Sequence, residues 1–283
     1  RACNFYYGKQ ANSLIKKKIA LPLCGNQNIA FDKIEIFKRS KKFTQSKLID
    51  IIKISKLKKK ERSQVTKDLK KIIAKRKNFL KNVNFSEPTI MGILNLTPDS
   101  FSDGGKFNKK DKSFKQISKM INSGAKIIDV GGESTRPGSK SIDTITEWKR
   151  VKEVIKSFKK KNKRICLSLD TRKSDLMMKG IRYGVDLIND VSGFEYDKDS
   201  LNKIKQHKNV TKVVHHMKGT PNTMQINPKY NNVLLDIYDF FQKKINNKII
   251  GKKIILDPGI GFGKTLKHNL SLISNISLFH SLG

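Results

Sequence analysis

From Thr89 onward, short apolar runs alternate with longer stretches of helical periodicity. The runs lie near 89–95, 126–131, 164–169, 186–190, 210–216 and 253–257, and their last positions are rich in Asn, Asp, Gly and His. The stretches near 111–123, 142–160, 173–183, 199–207, 229–248 and 268–281 switch between apolar and polar positions as helices do. Strict alternation of this kind predicts a parallel sheet with crossover helices, either doubly wound or closed as a barrel. A doubly wound nucleotide fold places a glycine fingerprint in its first strand-to-helix turn. The loop here, Asn95 to Gly105, has no such spacing. The predicted fold of residues 87–283 is therefore an α/β (β/α)8 barrel, of which about six βα units are present.

Residues 1–86 follow another rule and are predicted to be a separate extension. Ile29 to Phe37 alternates as a strand does, and Leu21 to Gly25 ends in a turn signal. Between Lys38 and Lys81 stand 18 basic and three acidic residues. Within that tract Val65, Leu69, Ile72 and Ile73 fall on one helical face, which predicts an amphipathic helix packed on a neighbour. Ser86-Glu87-Pro88 marks the expected boundary.

The formal net charge of +36 invites a nucleic-acid reading. Only nine of the 60 basic residues are arginine, however, and base-reading sites favour arginine. A lysine-rich codon bias accounts for the charge, so no nucleic-acid partner is expected. Three cysteines (Cys3, Cys24, Cys166) have neither metal nor disulfide-framework spacing and read as reduced thiols of a cytoplasmic protein. No apolar stretch approaches the length of a membrane span, and no membrane partner is expected.

Six segments carry the chemistry: GILNLTPDSFSDGG from Gly92, IIDVGGESTRPGS from Ile127, LSLDTRK from Leu167, LINDVSG from Leu187, VVHHMKG from Val213 and ILDPGIGFGKT from Ile255. Functional groups in parallel barrels gather at the carboxyl ends of the strands, so Asn95, Asp129, Asp170, Asn189, His216 and Asp257 are expected on one rim. Three polar residues, Asp170, Asn189 and Asp257, ending otherwise apolar strands argue for a bound ligand. Asp170-Thr171 and Asp257-Pro258 are also helix N-terminal signals, and Asn95 could equally form an Asx turn before Thr97-Pro98. Three tempting patterns fail. Gly261 to Thr265 ends like a phosphate loop, but Pro258 stands where the first glycine is required. His215 and His216 are adjacent on a strand and point to opposite faces, so they cannot share a metal; one of them, with Met217, is expected to line or support the pocket. Cys166 reads as core.

Together these segments resemble the dihydropteroate synthase family of pterin-binding barrels over about residues 88–283, with NLTPDSFSDGG and GGESTRPG the most specific matches. The resemblance implies a transferase of folate biosynthesis. It would condense 6-hydroxymethyl-7,8-dihydropterin diphosphate with 4-aminobenzoate by SN1-like loss of diphosphate. By the same resemblance Asp170, Asn189, Met217 and Asp257 would bind the pterin, and Thr135 and Arg136 would meet the diphosphate. Phe101, Thr135 and Pro137 would form the 4-aminobenzoate pocket. Asp103 and Arg136 would complete the closed catalytic assembly, and Asn95 would be the ligand of Mg²⁺. A homodimer is the assembly considered for the intact protein.

The family also carries a Ser-Arg-Lys segment after a seventh strand and an Arg-x-His pair near an eighth, and neither is present here. The 283 residues are accordingly expected to be a carboxyl-terminally incomplete form, inactive and poorly soluble by itself. Two other readings are weighed. A methyltetrahydrofolate–corrinoid methyltransferase barrel would share the pterin-reading residues but has no use for an aryl-amine loop. A basic nucleic-acid-binding protein on a non-catalytic barrel would lose its ligand at raised salt.

Overall fold

The computed structural model describes residues 1–39, 44–97, 109–247 and 250–283. It divides into two compact units.

The first unit is Arg1–Lys77 together with Ser271–Gly283. Its elements are β1 (Ala2–Tyr7), α1 (Gly8–Lys16), β2 (Leu21–Leu23), β3 (Asn26–Arg39), β4 (Thr44–Asp50), a 3-10 turn (Ile51–Lys56) and α2 (Lys59–Ile73). The expected strand at 29–37 is the centre of β3, which pairs antiparallel with β1, β2 and β4. Cys24 and Gly25, both at positive φ, make the two-residue turn joining β2 to β3. That geometry matches the right-handed twist of the strands. On one face Phe31 and Ile34 of β3 meet Val65 and Ile72 of α2, with Leu69 and Ile73 packed at the edge. This is the helical face anticipated from the sequence. On the other face Ala11, Ala20 and Ala30 form a small core with Tyr6, Leu14 and Ile15. The few acids of the basic tract are shared: Glu61 takes Lys47 at 2.7 Å and Lys38 at 3.4 Å.

The second unit is Asn78–Leu270. It runs β5 (Ile90–Asn95), α3 (Lys109–Asn122), β6 (Ala125–Gly131), α4 (Thr144–Lys161), β7 (Cys166–Asp170), α5 (Ser174–Arg182), β8 (Leu187–Asp190), α6 (Ser200–Ile204), β9 (Thr211–His215), α7 (Val233–Asn246) and β10 (Ile254–Asp257), then enters α8 (Leu266–Ser274). The six strands lie side by side in sequence order and every pairing is parallel, the arrangement of a partial (β/α)8 barrel. β6 and β7 are buried on both faces, which explains their near-continuous apolar runs.

Two boundaries differ from the sequence reading. The barrel unit begins at Asn78 rather than at 87, because Leu80 and Val83 are buried against Ile127, Cys166, Leu187 and Val213 near the amino ends of their strands. Phe79 and Phe85 flank this plug, and Cys166 donates its thiol proton to the Lys81 carbonyl at 2.9 Å. At the other end, the helix expected over 268–281 stops at Ser274, and a 3-10 segment (Ile276–Leu282) follows within the first unit. There Ser277 donates to the Ala2 carbonyl and Arg76 to that of His280.

Candidate active site

Side chains on paired parallel strands share a face when their residues are register partners, and the face recurs every second residue. Asn95 pairs with Gly131, Gly131 with Asp170, and Asp170 with Asn189. These four residues therefore form one row across β5 to β8, at the carboxyl ends of the strands. Glycine at the second place keeps the row open. A Cβ on Gly131 would stand 3.2 Å from Asp170 Oδ2 and 3.4 Å from Asn95 Oδ1. Ile255, joined to Asn189 through Val213, continues the row, and Asp257 lies two residues further on the same face. Asn95, Asp170, Asn189 and Asp257 thus lie on one face of the sheet at the carboxyl ends of its strands.

Capping does not explain the acids. Helix α5 begins at Ser174 behind Lys173, without a side-chain cap, so Asp170 serves no helix end. Burial pushes the Asp170 carboxyl well above the usual range, and Asp129, Glu147, Asp190 and Glu133 push the same way. Burial also raises Asp257, but the His215 imidazole, the Gly259 N–H and Lys264 outweigh it and hold that carboxyl below its ordinary value. His215 Nδ1 lies 3.1 Å from Asp257 Oδ2, and the Gly259 N–H donates to Oδ1 at 2.8 Å. The two acids are thus shifted in opposite directions, Asp170 upward and Asp257 downward.

Asp129 sits one row deeper than the rim on which it was expected, pairing in register with Ser168. His216 is a second correction: it turns away from the row, and His215 faces Asp257 instead. Lys264 donates to His216 Nδ1 at 3.1 Å, to the His216 carbonyl at 3.1 Å and to the Phe262 carbonyl at 2.8 Å. Burial lowers Lys264 to about 7, and burial with Lys264 beside it lowers His216 to about 3, so the imidazole stays neutral. Lys264 thereby ties the loop after β10 to the end of β9. Gly259 permits the close approach: its φ is +68°, and a Cβ there would lie 2.0 Å from the His216 carbonyl oxygen.

The loop carrying Thr135, Arg136 and Pro137 is anchored by a buried charge cluster that sequence reasoning missed. Glu133 accepts from Arg172 Nε at 2.8 Å and Nη2 at 3.2 Å, and from the Ile142 N–H at 3.0 Å. Lys173 bridges Glu133 at 3.1 Å and also pairs with the fully buried Glu147. The Arg172 guanidinium lies over the Tyr196 ring at 3.9 Å. Further along, Gly138 donates to the Pro221 carbonyl and Ser139 Oγ to that of Ser134. Thr135 is half-buried, while Arg136 and Pro137 are exposed. Met217, two residues beyond β9, is half-buried. Phe101 and Asp103 lie outside the described residues. The visible signal for the cluster was TRK directly after β7, which reads as a helix start until Glu133 and Glu147 are brought against it.

Such a row of acids and amides at the carboxyl ends of parallel strands stands where the sheets of (β/α)8 barrels bind their ligands. Comparison with known proteins names the class: residues 91–283 match the family of pterin binding enzymes, and the chain belongs to that family. The particular relatives are synthases. The dihydropteroate synthase of Haemophilus influenzae is 40% identical over 208 residues, covering 72% of this chain and 74% of that one. The solved Yersinia pestis dihydropteroate synthase with a sulfonamide drug superposes with a TM-score of 0.65 at 37% identity, over 71% of this chain and 73% of the other. The Burkholderia cenocepacia dihydropteroate synthase complexed with 7,8-dihydropteroate gives 0.59 at 32% identity, over 69% and 66%.

Proposed function

We propose that this protein condenses 6-hydroxymethyl-7,8-dihydropterin diphosphate with 4-aminobenzoate to give 7,8-dihydropteroate and diphosphate. The observation that carries the reading is the row Asn95–Gly131–Asp170–Asn189 with Asp257 beside it. The Asp257 carboxylate, steadied from behind by His215 and the Gly259 N–H, accepts the pterin amino group and ring N–H. Asn189 offers an amide oxygen, and Asp170 meets the remaining edge. The pterin methylene then loses diphosphate: the C–O bond breaks and its electron pair leaves with the phosphate. The resulting cation is delocalised into the pterin ring. The 4-aminobenzoate nitrogen supplies the pair for the new C–N bond and sheds a proton. No nucleophilic side chain is needed. Preorganised charge and exclusion of water favour the ionisation. Thr135 and Arg136 contribute a hydroxyl and a guanidinium to the departing phosphate, and Pro137 gives the arylamine an apolar wall. Phe101 and Asp103 complete the reading on residues outside those described.

A magnesium ion fits this donor set in one way. Among the described residues no group of three or more His, Cys, Asp or Glu could hold a metal. Mg²⁺ needs little protein when substrate phosphates and waters supply its other ligands. Asn95, exposed at the rim with its amide oxygen beside Asp170, is the residue that would hold it. When bound, it would neutralise charge building on the diphosphate.

Calorimetric titration with the pterin diphosphate, with and without Mg²⁺, tests the reading. Saturable binding that Mg²⁺ tightens is expected. A folded protein that takes up no pterin diphosphate under either condition would overturn it.

A further inference from the structure

Asn189 is useful to a ligand only if its amide points the right way, and a residue outside the pterin-contacting set decides that. Asn189 Nδ2 lies 2.8 Å from Asp129 Oδ2. Burial raises the Asp129 carboxyl, and the hydrogen bonds donated by Asn189 and Ser168 pull it back, so both of its oxygens act as acceptors and the NH₂ end is the end that belongs there. The second oxygen of Asp129 is held by the Ser168 hydroxyl. Asp129 and Ser168 are only 2% and 0% exposed, so no water competes for these bonds. With its nitrogen committed, Asn189 leaves Oδ1 buried and without a hydrogen-bond partner. An orphaned buried acceptor is costly unless something arrives to satisfy it. It belongs to the row that carries Asp170 and Asn95, where the heterocycle is placed above.

We infer that Asp129 is a positioning residue: clamped by Ser168, it locks the Asn189 amide so that its oxygen faces the pterin as a hydrogen-bond acceptor. This rests on the pterin reading but can fail separately from it. The clamp selects against ligands offering an acceptor at that edge and in favour of those offering an N–H. Asp129 itself need not touch the substrate. What matters is that position 129 offers an acceptor, not that it is charged.

That distinction sets the experiment. Asp129→Leu, of similar shape, should weaken pterin diphosphate binding by about tenfold to a hundredfold, the scale of one buried polar group left unpaired. Asp129→Asn keeps an acceptor for Asn189 and should restore affinity to within about threefold of wild type, a small fraction of that loss. Should Asp129→Leu not fold, Ser168→Ala takes its place: loosening the clamp should weaken pterin binding alone. A ligand-free readout separates the two ideas. In the NMR spectrum of the free protein, the Asn189 side-chain NH₂ should be protected from exchange in wild type and Asp129→Asn, and unprotected in Asp129→Leu. An unprotected wild-type NH₂ overturns the clamp, as does Asp129→Asn losing as much affinity as Asp129→Leu. A protected NH₂ in a protein that binds no pterin overturns the pterin reading and keeps the clamp.

Discussion

The two ends of the parallel strands are built from the same backbone and do opposite work. On the inward face at the amino ends stand Ile127, Cys166, Leu187 and Val213, closed off by Leu80 and Val83. Two residues further along, the same face presents Asp129, Ser168, Asn189 and His215, and beyond these come Gly131 and Asp170. The change from plug to polar row takes one or two pleats. Parallel pairing leaves every strand end at the same level, so each polar terminus meets the others. At the bottom the apolar groups satisfy one another. At the top, Asn189 Oδ1 and His215 Nε2 are buried without partners. One end is closed mainly by apolar packing, with Thr211 Oγ1 also buried there without a partner, and the other carries its unpaired atoms beside the polar row.

The sharpest way to break that comparison is to damage each end and ask what is lost. Leu187→Ala empties a fully buried position in the plug and should destabilise the protein by about 2–5 kcal/mol. Urea unfolding should show this, while pterin affinity of the folded fraction stays unchanged. An equal loss of affinity would mean the ends are not independent.

Asp190 sharpens the comparison, because it shares the upper end but points to the opposite face from Asn189. It accepts from the Ser192 N–H and hydroxyl and from the Phe194 N–H, yet burial outweighs those bonds and raises its pKa to about 6. Its value in the unfolded chain is 3.8, so between those two values the folded state binds more protons. Stability from this group is complete below pH about 4 and falls as pH rises toward 6, by about 3 kcal/mol at most. Denaturation followed across that window should show the decline, and Asp190→Asn should remove this component of the slope. A wild type that gains stability through the window would contradict the assignment.

Asp257→Asn tests the polar end directly. It should cost about tenfold to a hundredfold in pterin diphosphate affinity. The unfolding free energy should move by less than about 1 kcal/mol, since the carboxylate is half-exposed and screened. A large stability loss without an affinity change would reassign Asp257 to the structure. The smallest effect belongs to the loop. Ser139→Ala removes the bond to the Ser134 carbonyl and should cost about 1 kcal/mol or less. It should speed amide exchange at Thr135 and Arg136 and leave β6 and β7 unchanged.

Much of this was readable before folding. Each barrel strand falls within about two residues of its apolar run, and β6 and β7, buried on both faces, have the fewest alternatives. Asp143 and Asn232 cap α4 and α7 within a few residues of the anticipated starts, a local interaction that needs no tertiary contact. The first unit was harder. β1 and β4 lack clean alternation and hold their conformation through β3, whose two edges they complete.

Local order, then, determined the strand-and-helix alternation, the polar strand ends and the motifs that carry the family resemblance. Tertiary structure decided which polar residues meet. Asp129 reaches Asn189 across 60 residues of chain, Arg172 reaches Glu133 across 39, and Asp257 takes His215 rather than its neighbour His216. Such pairings depend on strand register and on which side of the pleat a residue falls, and those appear only when separate strands are aligned. The physical reason is desolvation. A buried carboxylate accepts whatever donor the closed fold places beside it, and no local pattern encodes that donor's identity.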